Sequence, residues 1–252
     1  MITRDELATY LHDYLVCDAF NDYAPNGVQV EGGSTIRRIC TTVTASEASI
    51  KKAAAQHADA LLVHHGYFWR GEDAVITGMK RQRIGQLIVH NINLFAYHLP
   101  LDCHPDVGNN ACLGRLLGVN AVRTHTVGKT INLLWTGTLP KPMSAQDFSV
   151  EIQEKLGRSP LVVSGTDKVI ERIAWCSGAA QDYIEDAYRL GVDAFLSGEI
   201  SERTYYQAQE LGIHYFSCGH HATERYGIQA LGQHLSEHFN LQHQFIDSEN
   251  PV

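Results

Sequence analysis

Several common functional signatures are missing from this sequence of 252 residues. No apolar run reaches the roughly 18 residues that a membrane helix needs, so we expect no membrane partner. The six cysteines include no C-x-x-C pair, which argues against a zinc ribbon or a thioredoxin-type centre. The motifs GxxxxGKS/T, GxSxG and GxGxxG are also absent. A phosphate loop, a nucleophile elbow and a Rossmann dinucleotide site are therefore not expected.

The net charge and the cysteines indicate which partners and which compartment to expect. The formal net charge is −8, which gives no general attraction to a phosphate backbone, so nucleic acid is not a favoured partner. The first residues, MITRDELATYLHDYL, have the pattern of an amphipathic helix with acidic side chains rather than of a secretion signal. The cysteines lie largely in apolar runs and indicate buried, reduced thiols. Together these features predict a cytoplasmic protein.

An internal repeat runs through the chain. Residues 36–62 and 170–196 align without a gap at an offset of 134, and nine of the 27 positions are identical. Random pairing gives roughly two identities over that length. In the first copy the identical positions are Ile36, Arg38, Ile39, Ala45, Ile50, Ala53, Asp59, Ala60 and Leu62. Any two strand-helix-strand units share apolar strands and an alanine-rich helix, but the number of identities favours a duplication.

The repeated segment predicts the fold class. Each copy has the pattern strand, helix, strand, helix, strand, which is typical of a mostly parallel sheet flanked by helices. We therefore predict an α/β protein of two related, interlocked units from an internal duplication, over residues 1–125 and 126–252. Residues 120–168 are predicted to be an intervening elaboration, with the strand-like INLLWTGTLP, a break from Pro140 to Pro142 and a helix in SAQDFSVEIQEKLG.

Histidines and carboxylates gather in three clusters, each at a position where a strand ends or a helix begins. The clusters are His64 and His65 after the run ALLV, His98 and Asp102 in HLPLD, and His220 and Glu224 in HHATE. The second and third clusters are separated by 122 residues at both positions, so the repeat makes them equivalent. If the two copies pack about a pseudo-twofold axis, these clusters can face each other and form one site.

The spacing within the clusters indicates metal binding. Adjacent side chains of a strand point to opposite faces, so His64 and His65 suit two nearby ions better than one. A separation of four residues brings His220 and Glu224 to one helix face, and a carboxylate can bridge two cations. Taken singly, each cluster is also compatible with a hydrogen-bonded strand end or a helix cap. Their joint occurrence predicts two divalent metal ions, and an imidazole and carboxylate donor set fits zinc, iron, manganese, cobalt or nickel.

Other polar segments have weaker signals. Glu199 in LSGE is the repeat equivalent of His65 and is expected either to reach the site as a supporting or substrate-binding group or to be an ordinary loop acid. Tyr23 to Gly27, in DYAPNGVQVEG, are typical of a turn. His234, His238 and His243 are expected to be solvated on a polar helix face.

Long motifs in both copies resemble those of one known family. These motifs are DYAPNGVQVEG, VTAS, DALLVHHGYFWRGE, GMKRQRI, NLFAYHLPLDCHPDVGNNA, GVDAFLSGEISE and GHHATERYGI, and they cover most of the chain outside roughly 120 to 165. On these residues the sequence resembles the NIF-three-like proteins, the GTP cyclohydrolase 1 type 2 homologues, and within them the YbgI-like bacterial members.

The resemblance implies a dinuclear metal site in an α/β chain that assembles as a toroidal homohexamer. The ligands that it implies are His64 and Asp102 for one ion, His65 and His220 for the other, and Glu224 as a bridge. His98 matches a recurrent family histidine that either binds a metal or supports a ligand. The family name implies water attack on an electrophilic carbon of a purine, followed by ring opening.

Three functions are compatible with these features. The first is a metal-dependent hydrolase that acts on a nucleotide or a related small molecule, with Glu224, His98 and Glu199 as catalytic groups. The second is a metal-handling or scaffold protein without turnover. The third is a regulatory protein that binds other proteins or DNA, although the acidic charge counts against DNA. We favour the hydrolase because a site that leaves positions open for water suits catalysis.

Overall fold

The computed structural model describes residues 1–252. The helices are α1 (Arg4–Tyr14), α2 (Glu47–Ala55), α3 (Gly78–Val89), α4 (Leu99–Cys103), α5 (Asn109–Leu116), α6 (Ala145–Leu156), α7 (Ile184–Arg189), α8 (Glu202–Leu211) and α9 (His220–Phe239). The strands are β1 (Ile2–Thr3), β2 (Gly27–Val30), β3 (Thr35–Ile36), β4 (Arg38–Thr44), β5 (Ala60–His65), β6 (Asn93–Ala96), β7 (Asn120–Val127), β8 (Thr130–Met143), β9 (Leu161–Ser164), β10 (Ile170–Cys176), β11 (Ala194–Ser197), β12 (His214–Ser217) and β13 (Gln242–Phe245). No helix combines the length and the apolar character that crossing a membrane requires.

The chain forms two compact units. Unit 1 contains residues 1–108 and 227–249, and unit 2 contains residues 109–226 and 250–252. This division differs from the predicted one at 125/126, because the last part of the chain returns to unit 1 and the boundary falls inside α9. A sequence repeat need not coincide with a compact unit, so the repeat boundary stays a prediction.

The sheet of unit 1 has five strands in the order β13-β4-β5-β6-β2, and only β2 is antiparallel to its neighbour. Side chains along β5 alternate between two cores. Ala60 and Leu62 belong to the core that also contains apolar residues of α1 and α9, whereas Leu61 and Val63 belong to the core with α2 and α3. The sheet is therefore buried on both faces, which explains its nearly continuous apolar strands.

The histidines near the end of unit 1 differ from the sequence-based expectation. His238 is exposed as predicted, but the prediction of solvation is wrong for His234 and His243, which are partly buried. The ring of His234 stacks on Tyr14 with centroids 4.3 Å apart. His243 Nε2 lies 2.8 Å from Thr41 Oγ1, since β13 pairs with β4 rather than ending as a free tail. The sequence missed this strand because its apolar residues are few.

The sheet of unit 2 has six strands in the order β7-β8-β10-β11-β12-β9, of which β10, β11 and β12 are parallel and the others antiparallel. The predicted break from Pro140 to Pro142 is wrong, because β8 continues to Met143. The prolines instead coincide with a register shift, where pairing jumps from Thr138–Arg172 to Met143–Ile170. Proline has no amide hydrogen to donate to the ladder, so it is tolerated at such an irregularity.

One hydrogen-bonding pattern occurs in both units. Asp59 Oδ2 accepts the backbone N–H groups of Arg37 and Arg38 at 2.8 and 2.9 Å. Asp193 Oδ2 accepts those of residues 171 and 172 at 3.0 and 2.8 Å, and each partner is shifted by the repeat offset of 134. Arg38 also donates to the carbonyl of residue 56 and Arg172 to that of residue 190, again at this offset. The same hydrogen bonds thus hold the start of β4 in unit 1 and of β10 in unit 2. This agrees with a duplication, which itself stays a prediction.

Candidate metal centre

In unit 1 the candidate site begins at the carboxyl end of β5. His64 is fully buried, and His65 is partly exposed, as expected for neighbours on opposite faces of a strand. His64 Nδ1 lies 3.0 Å from the carbonyl oxygen of Tyr97. Because a carbonyl only accepts, Nδ1 carries the proton and Nε2 is the nitrogen that can bind a metal. His65 Nδ1 lies 3.2 Å from Thr44 Oγ1, a contact that orients the ring.

His98 joins this pair from the segment that follows β6. Its Nδ1 lies 2.6 Å from Asp22 Oδ1, so the imidazole donates to a carboxylate and its Nε2 is the remaining ligand atom. The ligand nitrogens of His64, His65 and His98 lie within 4.8 Å of one another. The carboxyl ends of two neighbouring parallel strands therefore bring three imidazoles together.

Asp102 contributes the carboxylate of unit 1. It lies in α4, whose cap is His98 and which has Pro100 in its first turn. The side chain of Asp102 is 8% exposed, and its Oδ1 lies 3.5 Å from His64 Nε2. The segment HLPLD begins a short helix, and this helix holds the carboxylate next to the histidine from β5.

Unit 2 contains the other predicted residues at the start of α9. His220 Nε2 lies 3.2 Å from Glu224 Oε2, and His220 Nδ1 lies 2.7 Å from Glu199 Oε1. Burial lowers the pKa of His220, but hydrogen bonds and charge from Glu224 and Glu199 outweigh it and raise the pKa to about 9. Glu199 is therefore the carboxylate partner of a predicted metal ligand rather than an ordinary loop acid, and the hydroxyl of Tyr215 holds its backbone carbonyl at 2.5 Å.

A glycine makes room for these side chains. Gly178 follows β10 with φ +67°, and a Cβ there would lie 2.3 Å from Glu224 Oε1 and 3.2 Å from His220 Nε2. Both the backbone conformation and the close approach exclude a larger residue. The backbone at the end of β10 therefore forms one wall beside the Glu224 carboxylate.

The donors of each unit fit a metal ion in chemical terms. Unit 1 supplies three imidazoles and one carboxylate, and unit 2 supplies one imidazole backed by two carboxylates. The ring nitrogen opposite the ligand atom contacts a carbonyl in His64 and a carboxylate in His98 and His220. Such partners fix the ring orientation and the tautomer of metal-binding histidines. The absence of thiolate ligands favours the borderline divalent ions over copper(I) or an iron–sulfur cluster.

The sequence did not indicate two residues of this site. Asp22 was not singled out, although its carboxylate accepts from His98 and from the backbone N–H of Leu99 at 2.9 Å. Asn26, which lies in the segment predicted as a simple turn, accepts the His98 backbone N–H through its Oδ1 at 2.8 Å. Both come from a loop more than 70 residues away in sequence, so no local spacing could link them to His98.

Known proteins of one family are similar to this protein over nearly the whole chain. The model of the family Duf34/NIF3 (NGG1p interacting factor 3) matches residues 2–251. A protein of Allochromatium vinosum named GTP cyclohydrolase 1 type 2 homolog is 50% identical over 247 residues, which cover 98% of this chain and 96% of that protein. The protein of the same name from Pasteurella multocida is 50% identical over 248 residues and 98% of each chain. The solved structure of protein ybgI, described as of unknown function, is similar with a TM-score of 0.95 and 46% identity over all of both chains.

Proposed function

The chain belongs to the Duf34/NIF3 family, and we propose from this membership and from its histidine–carboxylate groups that it is a metal-dependent hydrolase of a nucleotide or a related small molecule. The observation that carries the proposal is the group of His64, His65 and His98, whose ligand nitrogens lie within 4.8 Å of one another. The second ring nitrogen of His64 contacts a carbonyl and that of His98 contacts a carboxylate, which is typical of metal-binding histidines.

The proposed site contains two divalent ions and residues of both units. The proposed ligands are His64 and Asp102 for one ion, His65 and His220 for the other, and Glu224 as the bridge. The sequence repeat supports this assignment, because it makes Asp102 and Glu224 equivalent. The hydrogen bonds that orient His64 and His220 support it as well.

The chemistry divides between the ions and the surrounding side chains. Bound divalent ions lower the pKa of a coordinated water and stabilise negative charge on the substrate. His98 keeps its Nδ1 proton directed at Asp22, so its Nε2 can accept a proton from the attacking water. Glu199 holds His220 and is partly exposed, which suits contact with a substrate. We therefore propose His98, Glu199 and Glu224 as the catalytic groups.

Turnover of GTP by the metal-loaded protein tests this function. We expect ring-opened or hydrolysed product, detected by chromatography, with one or more of zinc, iron, manganese, cobalt and nickel. Glu224→Ala should abolish turnover because it removes the bridging carboxylate. Glu237→Ala is the matched control, since Glu237 is an exposed glutamate on the same helix. Absence of product with every ion and with a panel of nucleotides, or full activity of Glu224→Ala, would contradict the proposal.

A metal-handling protein is the second candidate. The side chains of His98 and His220 are 18% and 26% exposed, so an ion that they help to bind would be accessible to exchange. That candidate predicts rapid transfer of the ion to a chelator and no turnover. The homohexamer that the resemblance implies is a further proposal, and light scattering of the purified protein would test it.

A further inference from the structure

Two loops of unit 1 lie beside the histidine group and are joined to each other. The first loop contains residues 21–26, and the second contains residues 66–72. The backbone N–H of Arg70 donates to the carbonyl of Tyr23 at 2.7 Å. Gln29 donates to the carbonyls of Pro25 and Tyr67 and accepts the N–H of Tyr67 at 2.7 Å. These bonds make the two loops one surface.

Glycine and a strained residue shape the second loop. A Cβ at Gly66 would lie 2.2 Å from Gln29 Oε1 and 2.6 Å from Ala96 Cβ, so only glycine allows this close approach. Phe68 has φ +64°, an unfavourable conformation for an aromatic residue. A backbone held in such a conformation often belongs to a functional site. Here the conformation of Phe68 sets the direction of the backbone at the next residue, Trp69.

Aromatic rings from both loops lie next to His98. The ring centroid of Trp69 is 5.0 Å from that of His98 and 5.9 Å from that of His65. The indole N–H donates to the carbonyl of Gly66 at 3.3 Å, which fixes the ring orientation. The ring of Tyr23 is 6.2 Å from His98, and this residue is 55% exposed. An exposed aromatic side chain offers a face on which a flat ligand ring can stack.

A cation lies on the same surface. The guanidinium carbon of Arg70 is 5.9 Å from the centre of the Tyr23 ring. Its Nη2 donates to Asn21 Oδ1 at 3.2 Å and to the Asp22 carbonyl at 2.9 Å. These bonds use two of the five guanidinium donors, so Nε and Nη1 are available for an anion. Arg70 is exposed, and a phosphate could reach it from solvent.

We propose that Trp69, Tyr23 and Arg70 form a binding subsite for an anionic, planar heteroaromatic substrate, a nucleoside phosphate. The flat ring stacks on Trp69 beside the histidine group, and the phosphate binds Arg70. This inference rests on the proposed function, because it assigns the substrate-binding part of the same site. Stacking on an aromatic side chain tolerates different bases. The subsite therefore selects for a flat ring and a negative charge rather than for the hydrogen-bonding pattern of one base.

Tryptophan fluorescence of the metal-loaded full-length protein tests the subsite without turnover. Trp135 is 6% exposed and Trp175 is fully buried, so quenching by a ligand in solution reports on Trp69. We expect GTP and guanosine to quench the emission and to protect it from iodide, whereas inorganic tripolyphosphate does neither. Isothermal titration calorimetry supplies the Kd of each variant.

The variants separate stacking from charge. Trp69→Leu should weaken GTP binding on the order of 5- to 100-fold, whereas Trp69→Phe keeps a stacking ring and should bind within a few-fold of the original protein. Arg70→Gln should weaken GTP binding but not guanosine binding. Tyr205→Leu is the control, since Tyr205 is 49% exposed in unit 2. Circular dichroism of each variant shows whether a loss in Trp69→Leu comes from misfolding.

The outcomes distinguish this subsite from the hydrolase proposal. Binding of GTP through Trp69 without any product supports the subsite and counts against the hydrolase. Turnover of GTP with a KM and Kd that Trp69→Leu and Arg70→Gln leave unchanged overturns the subsite and leaves the hydrolase standing. Absence of any nucleoside binding to the metal-loaded protein also overturns the subsite.

Discussion

At the scale of single residues, Asp22 determines the ring orientation and the tautomer of His98. Its side chain is 3% exposed and accepts from His98, from the side chain of Asn26 and from backbone N–H groups. Burial raises the pKa of Asp22, but the hydrogen bonds from His98 and Asn26 outweigh it, so the pKa lies below the usual value for an aspartate. The carboxylate is therefore charged at neutral pH and holds the Nδ1 proton of His98.

Asp22→Asn should lower the kcat of the metal-loaded protein by about 100-fold while the fold and the metal content are retained. The amide nitrogen of asparagine is a donor, so it favours the wrong tautomer of His98 or turns the ring away. Chromatography of the product measures kcat, and elemental analysis checks that the metal content is unchanged. Asp18→Asn is the matched control, because the side chain of Asp18 is 91% exposed. A kcat equal to that of the original protein would show that Asp22 does not position His98.

The sequence predicted single residues of the site where the signal was local. His64 and His65 end an apolar strand, and His220 and Glu224 share a helix face, so spacing alone indicated their chemistry. Asp22 and Trp69 carry no such signal, because their relation to His98 arises only when loops that are distant in sequence meet. Glu199 is intermediate: the repeat pointed to it, and its contact with His220 required the fold.

At the scale of elements, one carboxylate in each unit holds the start of a central strand. Asp59 precedes β5 and binds two backbone N–H groups at the start of β4, and Asp193 precedes β11 and does the same at β10. The parallel strands and the helices between them were predicted from the alternation of apolar strands and helices. The edge strand β13 and the end of β8 were not predicted, since β13 is short and polar and β8 contains prolines at a register shift.

We expect Asp59→Ala and Asp193→Ala to lower the free energy of unfolding by similar amounts, about 1 to 3 kcal/mol each. Each substitution removes a charged acceptor from two backbone N–H groups. Urea denaturation of the metal-free protein measures the change, and Asp167→Ala, at an exposed position, serves as the control. If only one of the two variants were destabilised, the matching hydrogen bonds of Asp59 and Asp193 would not contribute equally to stability.

At the scale of the whole molecule, the proposed site makes the two units depend on each other for metal binding. Each unit has its own core, and the described contacts of unit 1 alone bring three imidazoles and one carboxylate together. If unit 1 bound its ions independently, changes in unit 2 would leave the metal content unaltered. A shared site with a bridging carboxylate predicts the opposite, because loss of a ligand from either unit leaves an incomplete coordination sphere.

We therefore expect two ions per chain in the original protein and one or fewer in both His64→Ala and His220→Ala. Equilibrium dialysis followed by elemental analysis measures the content, and circular dichroism checks that each variant is folded. His90→Ala is the control in unit 1, since His90 is exposed at the end of α3. A His220→Ala protein that keeps two tightly bound ions would restrict the metal site to unit 1. In that case Glu224 would have no bridging role, and its proposed part in catalysis would be lost with it.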